Sequence, residues 1–525
     1  MTDLRIEQLA GAVGRSLIEA ARQPLPEVWV RDEGRITEVR DGVVRVAGLP
    51  SAAADELLEL ESGELALGLS LEPGSLKAVA LGDTSGVSVG SRVRATGKVA
   101  TLPVGEALLG RVIDPLGRPL DGRPLYGTLV PQKLERRAPQ LYQRASVHQP
   151  LYTGSLAVDA LCPIGRGQRE LIIGEEGTGK TSLAVDAILR QKNTGVIGVY
   201  VAIARRRVDT WQVVETLRRH AERWVVIAVS QDASPGLRYL APYAGASVAE
   251  HFAERGEHTL IVYDDLTAHA IAWRELSLLL NRPPGREAYP GDIFYLHARL
   301  LERAAQLSTE HGGGSVTALP ISLLEGGRLT AYIPTNLISI TDGQIVLSRS
   351  LFASGQKPAL DAGLSVSRVG GKAQPQAVRA LSARLRLDYA AFLELEAFSR
   401  IGTRLEERTE RKLQIGRRIR RLLRAQRLAP LGLFQEVVRL MLASEPALLL
   451  RIPEAAVEAA SAELSALAES RLVSVAGRVE RDALLADADR RALLDLCQHF
   501  VRERFRRGSH ASAATPADLG DPGIP

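Results

Sequence analysis

Eight consecutive residues, Gly174-Glu175-Glu176-Gly177-Thr178-Gly179-Lys180-Thr181, follow the P-loop pattern G-x-x-x-x-G-K-[ST], which works only as a tight loop between a strand and a helix. The flanks meet that demand. Glu170-Leu171-Ile172-Ile173 is a short apolar run suited to a buried strand, and Leu183, Ala184, Ala187 and Ile188 recur at helical spacing after the loop. In such a loop the glycines let backbone N–H groups turn toward phosphate oxygens. Lys180 is placed to neutralise phosphate charge, and the Thr181 hydroxyl to ligate Mg²⁺. All eight residues are therefore candidate nucleotide-binding residues.

One core cannot serve 525 residues, and length alone predicts about three or four domains. Cys162 and Cys497 lie far apart and in no metal-ligand spacing, which fits a reducing compartment and implies no disulfide framework. No apolar run approaches the ~18–20 residues that span a bilayer. Asp3 and Glu7 near the N-terminus, with no long apolar stretch beside them, argue against a signal peptide, so any work at a membrane depends on partners. Net charge is +5, with arginines concentrated in 400–427 around Arg417-Arg418-Ile419-Arg420-Arg421. Leu413, Ile415, Ile419, Leu422 and Leu423 interleave with them, which reads as an amphipathic helix with a solvated basic face. Nucleic-acid binding is the competing reading, but no aromatic platform accompanies the charge.

The sequence changes character along its length. Ile6, Leu9, Val13, Leu17 and Ala21 predict an amphipathic helix over 4–21, ended by Gln23-Pro24-Leu25-Pro26. From 27 to 95 short alternating segments follow, beginning with a hairpin in which 35–40 meets 43–46 across Asp41-Gly42, and a small closed β-barrel satisfies their spacing. Residues 96–370 alternate strand-like and helix-like runs, as a parallel α/β sheet requires, with strands expected at 170–173, 196–203, 224–229, 259–263, 316–321 and 337–340. From 371 to 507 the pattern is helical, and 508–525 has the composition of a disordered tail. The expected order is a helix and linker (1–26), barrel, nucleotide core, helical bundle and tail.

A P-loop enzyme also needs a carboxylate at the end of a second strand. Thr259-Leu260-Ile261-Val262-Tyr263 leads into Asp264-Asp265, and Asp264 is expected at the Mg²⁺ shell, through water, with Asp265 a possible helix cap. Hydrolysis further needs a group that orients and deprotonates water. The strand after the P-loop helix exits into Ala204-Arg205-Arg206-Arg207, and arginine accepts no proton at any working pH. Asp209, Glu175 and Glu176 are the carboxylates left to substitute. The simplest reading is a protein that binds nucleotide but hydrolyses it poorly.

Longer segments point to a family. Pro163-Ile164-Gly165-Arg166-Gly167-Gln168-Arg169-Glu170, the P-loop, and the runs 281–292, 332–344 and 363–370 closely resemble the α subunit of F-type ATP synthase. The resemblance covers about 1–507. It implies a small N-terminal β-barrel, a RecA-like P-loop α/β domain and a C-terminal helical bundle, with ATP or ADP and Mg²⁺ as ligands. It also implies a place in an α₃β₃ hexamer around a γ shaft, with δ and b subunits of a peripheral stalk and the a and c subunits of Fo. The location implied is peripheral, on the cytoplasmic face of a bacterial inner membrane, in a complex coupling ATP synthesis or hydrolysis to proton or sodium transport. By the same resemblance Arg368 matches the arginine finger given to the neighbouring β site, worth roughly 10³–10⁵ in rate in comparable systems. Ser365 matches the family's serine at that interface, required for activity.

Departures from the family pattern carry expectations of their own. The family usually has Asp-Arg-Gln-Thr where this sequence has Glu175-Glu176-Gly177-Thr178, so Glu176 brings negative charge toward the phosphates and should weaken affinity. The α-specific glutamine after the strand is Arg205. The family's Arg-Pro of the adenine pocket becomes Lys357-Pro358, and its two glutamines align with Ala425 and Arg427, flanking Gln426. These changes suggest a divergent branch, the sodium-associated alternative ATPases being one candidate. The alternatives are a self-sufficient homohexameric P-loop ATPase of the type III export or Rho-like kind, and an assembly protein that has lost nucleotide binding. Arg205 speaks against the export type, Trp29 as the sole aromatic residue of 27–95 against the Rho type, and the intact Lys180, Thr181 and Asp264 against the last.

Overall fold

The computed structural model describes residues 32–399, 406–482 and 485–505. The helix expected over 4–21 and the tail over 508–525 lie outside them. In the first unit, strands β1 (Glu33–Arg40) and β2 (Val43–Ala47) form the expected hairpin, with Arg40 opposite Val43. Asp41 and Gly42 both take positive φ, 45° and 83°, which suits the right-handed twist of the two strands. Strands β3 (Glu56–Leu60), β4 (Leu65–Glu72), β5 (Ser75–Ala80) and β6 (Arg92–Val99) complete a closed barrel in the order β1-β2-β5-β4-β3-β6. Alternate residues such as Ile36, Val44, Val46, Leu58 and Val93 fill its core, and closure leaves no open edge.

The second unit begins at Ala100. Its sheet contains β7 (Arg111–Ile113), β8 (Glu170–Gly174), β9 (Ile197–Arg205), β10 (Trp224–Ser230), β11 (His258–Asp264), β12 (Ser315–Leu323), β13 (Gly343–Leu347) and β14 (Val366–Ser367). They lie in the order β14-β13-β8-β12-β11-β9-β10-β7. Every pairing is parallel except β13 with β14. Helices cover the sheet, so its central strands are buried on both faces and read as continuous apolar runs. The principal ones near the site are α1 (Leu156–Leu161), α2 (Lys180–Leu189), α3 (Arg207–His220), α4 (Pro235–Ala253) and α5 (Leu266–Leu279).

The strand expected at 337–340 is instead the end of a helix, α6 (Tyr332–Ile340). Ile333, Leu337 and Ile340 are among its buried residues, at helical spacing, and Pro334 falls in the first turn, where its missing N–H costs nothing. The neighbouring strand, which pairs with the P-loop strand on the side away from β12, is Gly343–Leu347, after Asp342.

The longer helices of the helical part are α7 (Gln376–Ser399), α8 (Glu407–Leu422), α9 (Leu433–Ala443), α10 (Val457–Arg471), α11 (Val473–Asp482) and α12 (Asp487–Arg504). Its core includes Leu156, Ala157 and Ala160 of α1, so bundle and nucleotide core share apolar packing. Leu413, Gly416, Ile419 and Leu422 form the buried stripe of α8. Three of the arginines flanking this stripe are engaged within the protein. Arg420 pairs with Glu396 at 2.5 Å and lies over the Phe392 ring, Arg421 pairs with Glu458 at 3.2 Å, and Arg418 donates to the Ile452 carbonyl at 2.8 Å. These contacts account for Arg418, Arg420 and Arg421 within the protein, while Arg417 is exposed. Among the described residues no helix is long and apolar enough to cross a membrane.

Candidate functional site

The P-loop leaves the C-terminal end of β8, which β12 and β13 flank on either side. Gly177 and Gly179 take φ of 75° and 92°, conformations costly for any residue with a Cβ. A Cβ on Gly174 would lie 2.6 Å from the Leu347 carbonyl, so the first glycine is needed for close strand packing. Lys180 is buried. Its ammonium donates to the Gly174 and Glu175 carbonyls at 2.9 and 2.5 Å, and burial lowers its pKa. Thr178 Oγ1 donates to the Glu175 carbonyl at 2.8 Å. Glu175 pairs with Arg349 at 3.2 Å, whereas Glu176 is exposed at the loop's tip. An open pocket of about 540 Å³ adjoins the loop, lined by Glu175, Leu347, Arg349, Asp361 and Leu364 among others.

Asp264 ends β11 and is 1% exposed. Thr181 Oγ1 and Tyr200 OH both donate to its Oδ2 at 2.7 Å, and Arg205 Nη1 lies 3.6 Å from its Oδ1. Burial first, and then the Asp264 carboxylate, push the Tyr200 hydroxyl well above its usual pKa. Asp265 caps α5 by accepting from Ala268 N–H at 2.7 Å; burial, with the Asp264 charge adding to it, raises its pKa to about 6. Of the two expected roles, the helix cap thus falls to Asp265. Asp209, a candidate substitute base, is held by Arg206 at 2.8 Å.

Tyr200 and Arg205 reach Asp264 through sheet pairing. Ala202 of β9 is the register partner of Asp264, and Tyr200 precedes it on the same strand face. A register shift between Ile203 and Arg205, with Ala204 at φ 55°, re-aims the strand's end. Neither Tyr200 nor the ion pair of Arg205 is signalled by any local motif.

Lys357 sits with its ammonium 5.2 Å from the centre of the Phe352 ring, and its carbonyl accepts from Ala425 N–H at 2.8 Å. Phe352 in turn stands 3.8 Å from where a Gly179 Cβ would be, and Leu428 N–H donates to Asp186 of α2 at 3.0 Å. Lys357-Pro358 and the 425–428 segment are therefore brought to the same side of the P-loop helix.

Arg368 and Ser365 face different ways. Ser365 is 8% exposed, and its hydroxyl accepts from Val346 N–H of β13 at 2.9 Å. Arg368 is exposed; its guanidinium donates to the Thr341 carbonyl at 3.3 Å and its backbone N–H to the Asp342 carbonyl at 3.0 Å. Asp342 is itself clamped by Arg169 at 2.8 Å. Beside Arg368, Ser367 Oγ donates to the Pro163 carbonyl at 2.7 Å and accepts from Gln168 Nε2 at 3.1 Å, and the same amide donates to Glu170 at 2.7 Å.

Comparison with known proteins covers the whole architecture. Residues 30–97 match the β-barrel domain of the ATP synthase alpha/beta family, 154–367 the nucleotide-binding domain of that family, and 374–500 its C-terminal domain. The protein is 50% identical over 497 residues to ATP synthase subunit alpha 1 of Paraburkholderia xenovorans (strain LB400), an alignment covering 94% of this sequence and 96% of the relative. It is 49% identical over 494 residues to ATP synthase subunit alpha 3 of the same organism, covering 92% and 91%. To ATP synthase subunit alpha 1 of Chlorobium luteolum (strain DSM 273 / BCRC 81028 / 2530) it is 46% identical over 513 residues, covering 97% and 100%. With barrel, phosphate-gripping core and helical bundle matched in order and half the residues shared, the protein belongs to the ATP synthase subunit alpha family.

Proposed function

We propose that this subunit of an ATP synthase holds a nucleotide without turning it over and contributes Arg368 to the reaction of a neighbouring β subunit. One observation carries the non-catalytic half. The group that stands against Asp264, where water activation would need a base, is the guanidinium of Arg205. The exposure of Arg368 supports the other half, since a charge lent to a neighbour must lie on the surface. Gly174, Glu175, Glu176, Gly177, Thr178, Gly179, Lys180 and Thr181 form the phosphate grip in this reading. Lys357 and Pro358 border the base, and Thr181 and Asp264 are the donors that a Mg²⁺ arriving with nucleotide would meet. Ser365 then acts by mooring the Arg368 segment to β13.

The partners in this reading are β subunits in an α₃β₃ ring, γ, δ and b, and through them the a and c subunits of the membrane sector. The place of work is the cytoplasmic face of the bacterial inner membrane.

The test uses the reconstituted complex. Arg368→Ala is expected to cut multi-site turnover by roughly 10³-fold or more while the ring still assembles. Lys180→Ala is expected to weaken nucleotide binding on this subunit and leave substantial hydrolysis by its partner. Vigorous ATP cleavage by this subunit alone would instead favour the self-sufficient homohexameric reading.

A further inference from the structure

Glu170, the first residue of β8, is fully buried and lies outside the phosphate grip. Across the sheet it stands opposite Gly343 of β13, which stands opposite Ser367 of β14. Gly343 leaves the space that the Glu170 side chain occupies, since a Cβ there would lie 2.5 Å from Glu170 Oε2. That oxygen accepts from Gln168 Nε2 at 2.7 Å. The Gln168 amide can point only one way, because its oxygen accepts from Gly165 N–H at 2.9 Å. The second hydrogen on its nitrogen goes to Ser367 Oγ at 3.1 Å. Glu170 Oε2 is therefore an acceptor, and it holds the amide that holds Ser367, one residue before Arg368.

The other oxygen, Oε1, is buried and has no hydrogen-bond partner among the described residues. A buried carboxylate with one amide donor and no paired cation is costly, and such a group takes up a proton instead. Burial raises the Glu170 pKa well above 4.5; the Gln168 hydrogen bond and the Arg368 charge oppose that shift, and the Asp342 charge adds to it. Of the other groups nearby, Arg169 clamps Asp342, and Cys162 is a buried thiol pushed up to about 12 by burial first, with Arg386 of α7 opposing. Oε1 is thus the oxygen left to carry the proton.

The charge state bears on Arg368. With Glu170 neutral, the Arg368 guanidinium donates to the Thr341 carbonyl at 3.3 Å, an uncharged acceptor that it can give up. An ionised Glu170 would set a second negative charge near Asp342 and draw the guanidinium inward from the surface.

We propose that Glu170 is a positioning residue for the reaction of the neighbouring subunit and works as an uncharged acid: it anchors Gln168 and Ser367, and its proton leaves Arg368 free to reach the partner. The inference rests on the reading of Arg368 above. No covalent bond is made or broken, and the proton stays on Oε1.

Turnover, KM and the nucleotide affinity of this subunit, measured on the reconstituted complex, test it. Glu170→Gln keeps an acceptor and cannot ionise, and is expected to turn over like the native complex. Glu170→Leu has similar bulk and no acceptor. It is expected to lose up to about 100-fold in maximal turnover at unchanged KM and nucleotide affinity, the cost of misplacing a reacting group by an ångström. Equal losses in the two variants would mean that the negative charge is what counts, and would overturn the proposal. Native turnover in Glu170→Leu beside an inactive Arg368→Ala would overturn it too. Native turnover in Arg368→Ala overturns the reading of Arg368 itself, and the proposal with it. Should Glu170→Leu fail to fold, infrared difference spectra of the native protein against Glu170→Gln at neutral pH decide. A carboxylic-acid C=O stretch lost in the variant is expected, and loss of a carboxylate band instead refutes the uncharged acid.

Discussion

Ala204 occupies a conformation that few residues with a Cβ adopt, at φ 55°, just where β9 must turn Arg205 toward Asp264. Left-handed backbone costs an L-residue roughly 1–2 kcal/mol, and glycine avoids that cost at the expense of some entropy. Ala204→Gly is therefore expected to stabilise the protein by about 0.5–1 kcal/mol, read as a higher urea midpoint at unchanged slope. A lower midpoint would mean that the turn is held by something other than backbone preference. Residues at this scale were unevenly legible in the sequence. The P-loop and Asp264 could be read because each is a contiguous string whose chemistry is local. Tyr200 and the pairing of Arg205 could not, because they meet Asp264 only when β9 and β11 align in register. The inward turn of Ser365 likewise depends on β13, which no neighbouring residue announces.

At the scale of elements, packing decides what periodicity leaves open. A short apolar run such as Leu337-Ile338-Ser339-Ile340 suits a buried strand or a helix equally, and here the buried spacing of Ile333, Leu337 and Ile340 resolves it as helix. The crossing of α7 and α8 is tighter still. A Cβ on Gly416 would run into the Phe392 ring, so Gly416→Ala is expected to destabilise by about 1–3 kcal/mol in urea unfolding, the range for overpacked cores. An unchanged midpoint would show that the two helices slide apart freely.

Between α1 and α9 two buried carboxyl groups, Asp159 and Glu436, meet. Asp159 accepts four hydrogen bonds from Thr153 and Gly154, while both oxygens of buried Glu436 lack a donor. Burial, and then the Asp159 charge, hold the Glu436 carboxyl well above its usual 4.5, with Arg190 opposing and Glu480 reinforcing the shift, so Glu436 is the protonated member. A pKa raised on folding gives stability that is whole below 4.5 and drains away as pH rises through the folded value. Glu436→Gln, which keeps the donor and cannot ionise, should flatten that decline as pH rises above 4.5. Identical slopes for the native protein and the variant in pH-resolved urea unfolding would refute the assignment.

On the scale of the whole molecule, β8 joins two places that the sequence presents as separate motifs nearly two hundred residues apart. Gly174 at its C-terminal end opens the P-loop, and Glu170 at its start belongs, with Gln168, to the hydrogen-bonded group that moors Ser367 beside Arg368. Ser367→Ala removes that mooring without touching the phosphate grip. It is expected to lower turnover of the reconstituted complex by up to about 100-fold, the cost of misplacing a reacting group by an ångström, with nucleotide affinity of this subunit unchanged. Parallel losses in both measurements would point to general unfolding instead. Five residues of extended backbone thus give common footing to the P-loop at one end and to the segment carrying Arg368 at the other. In the proposed reading, a shift that a bound phosphate imposed on one end of that footing would have only a single strand to cross to reach the other.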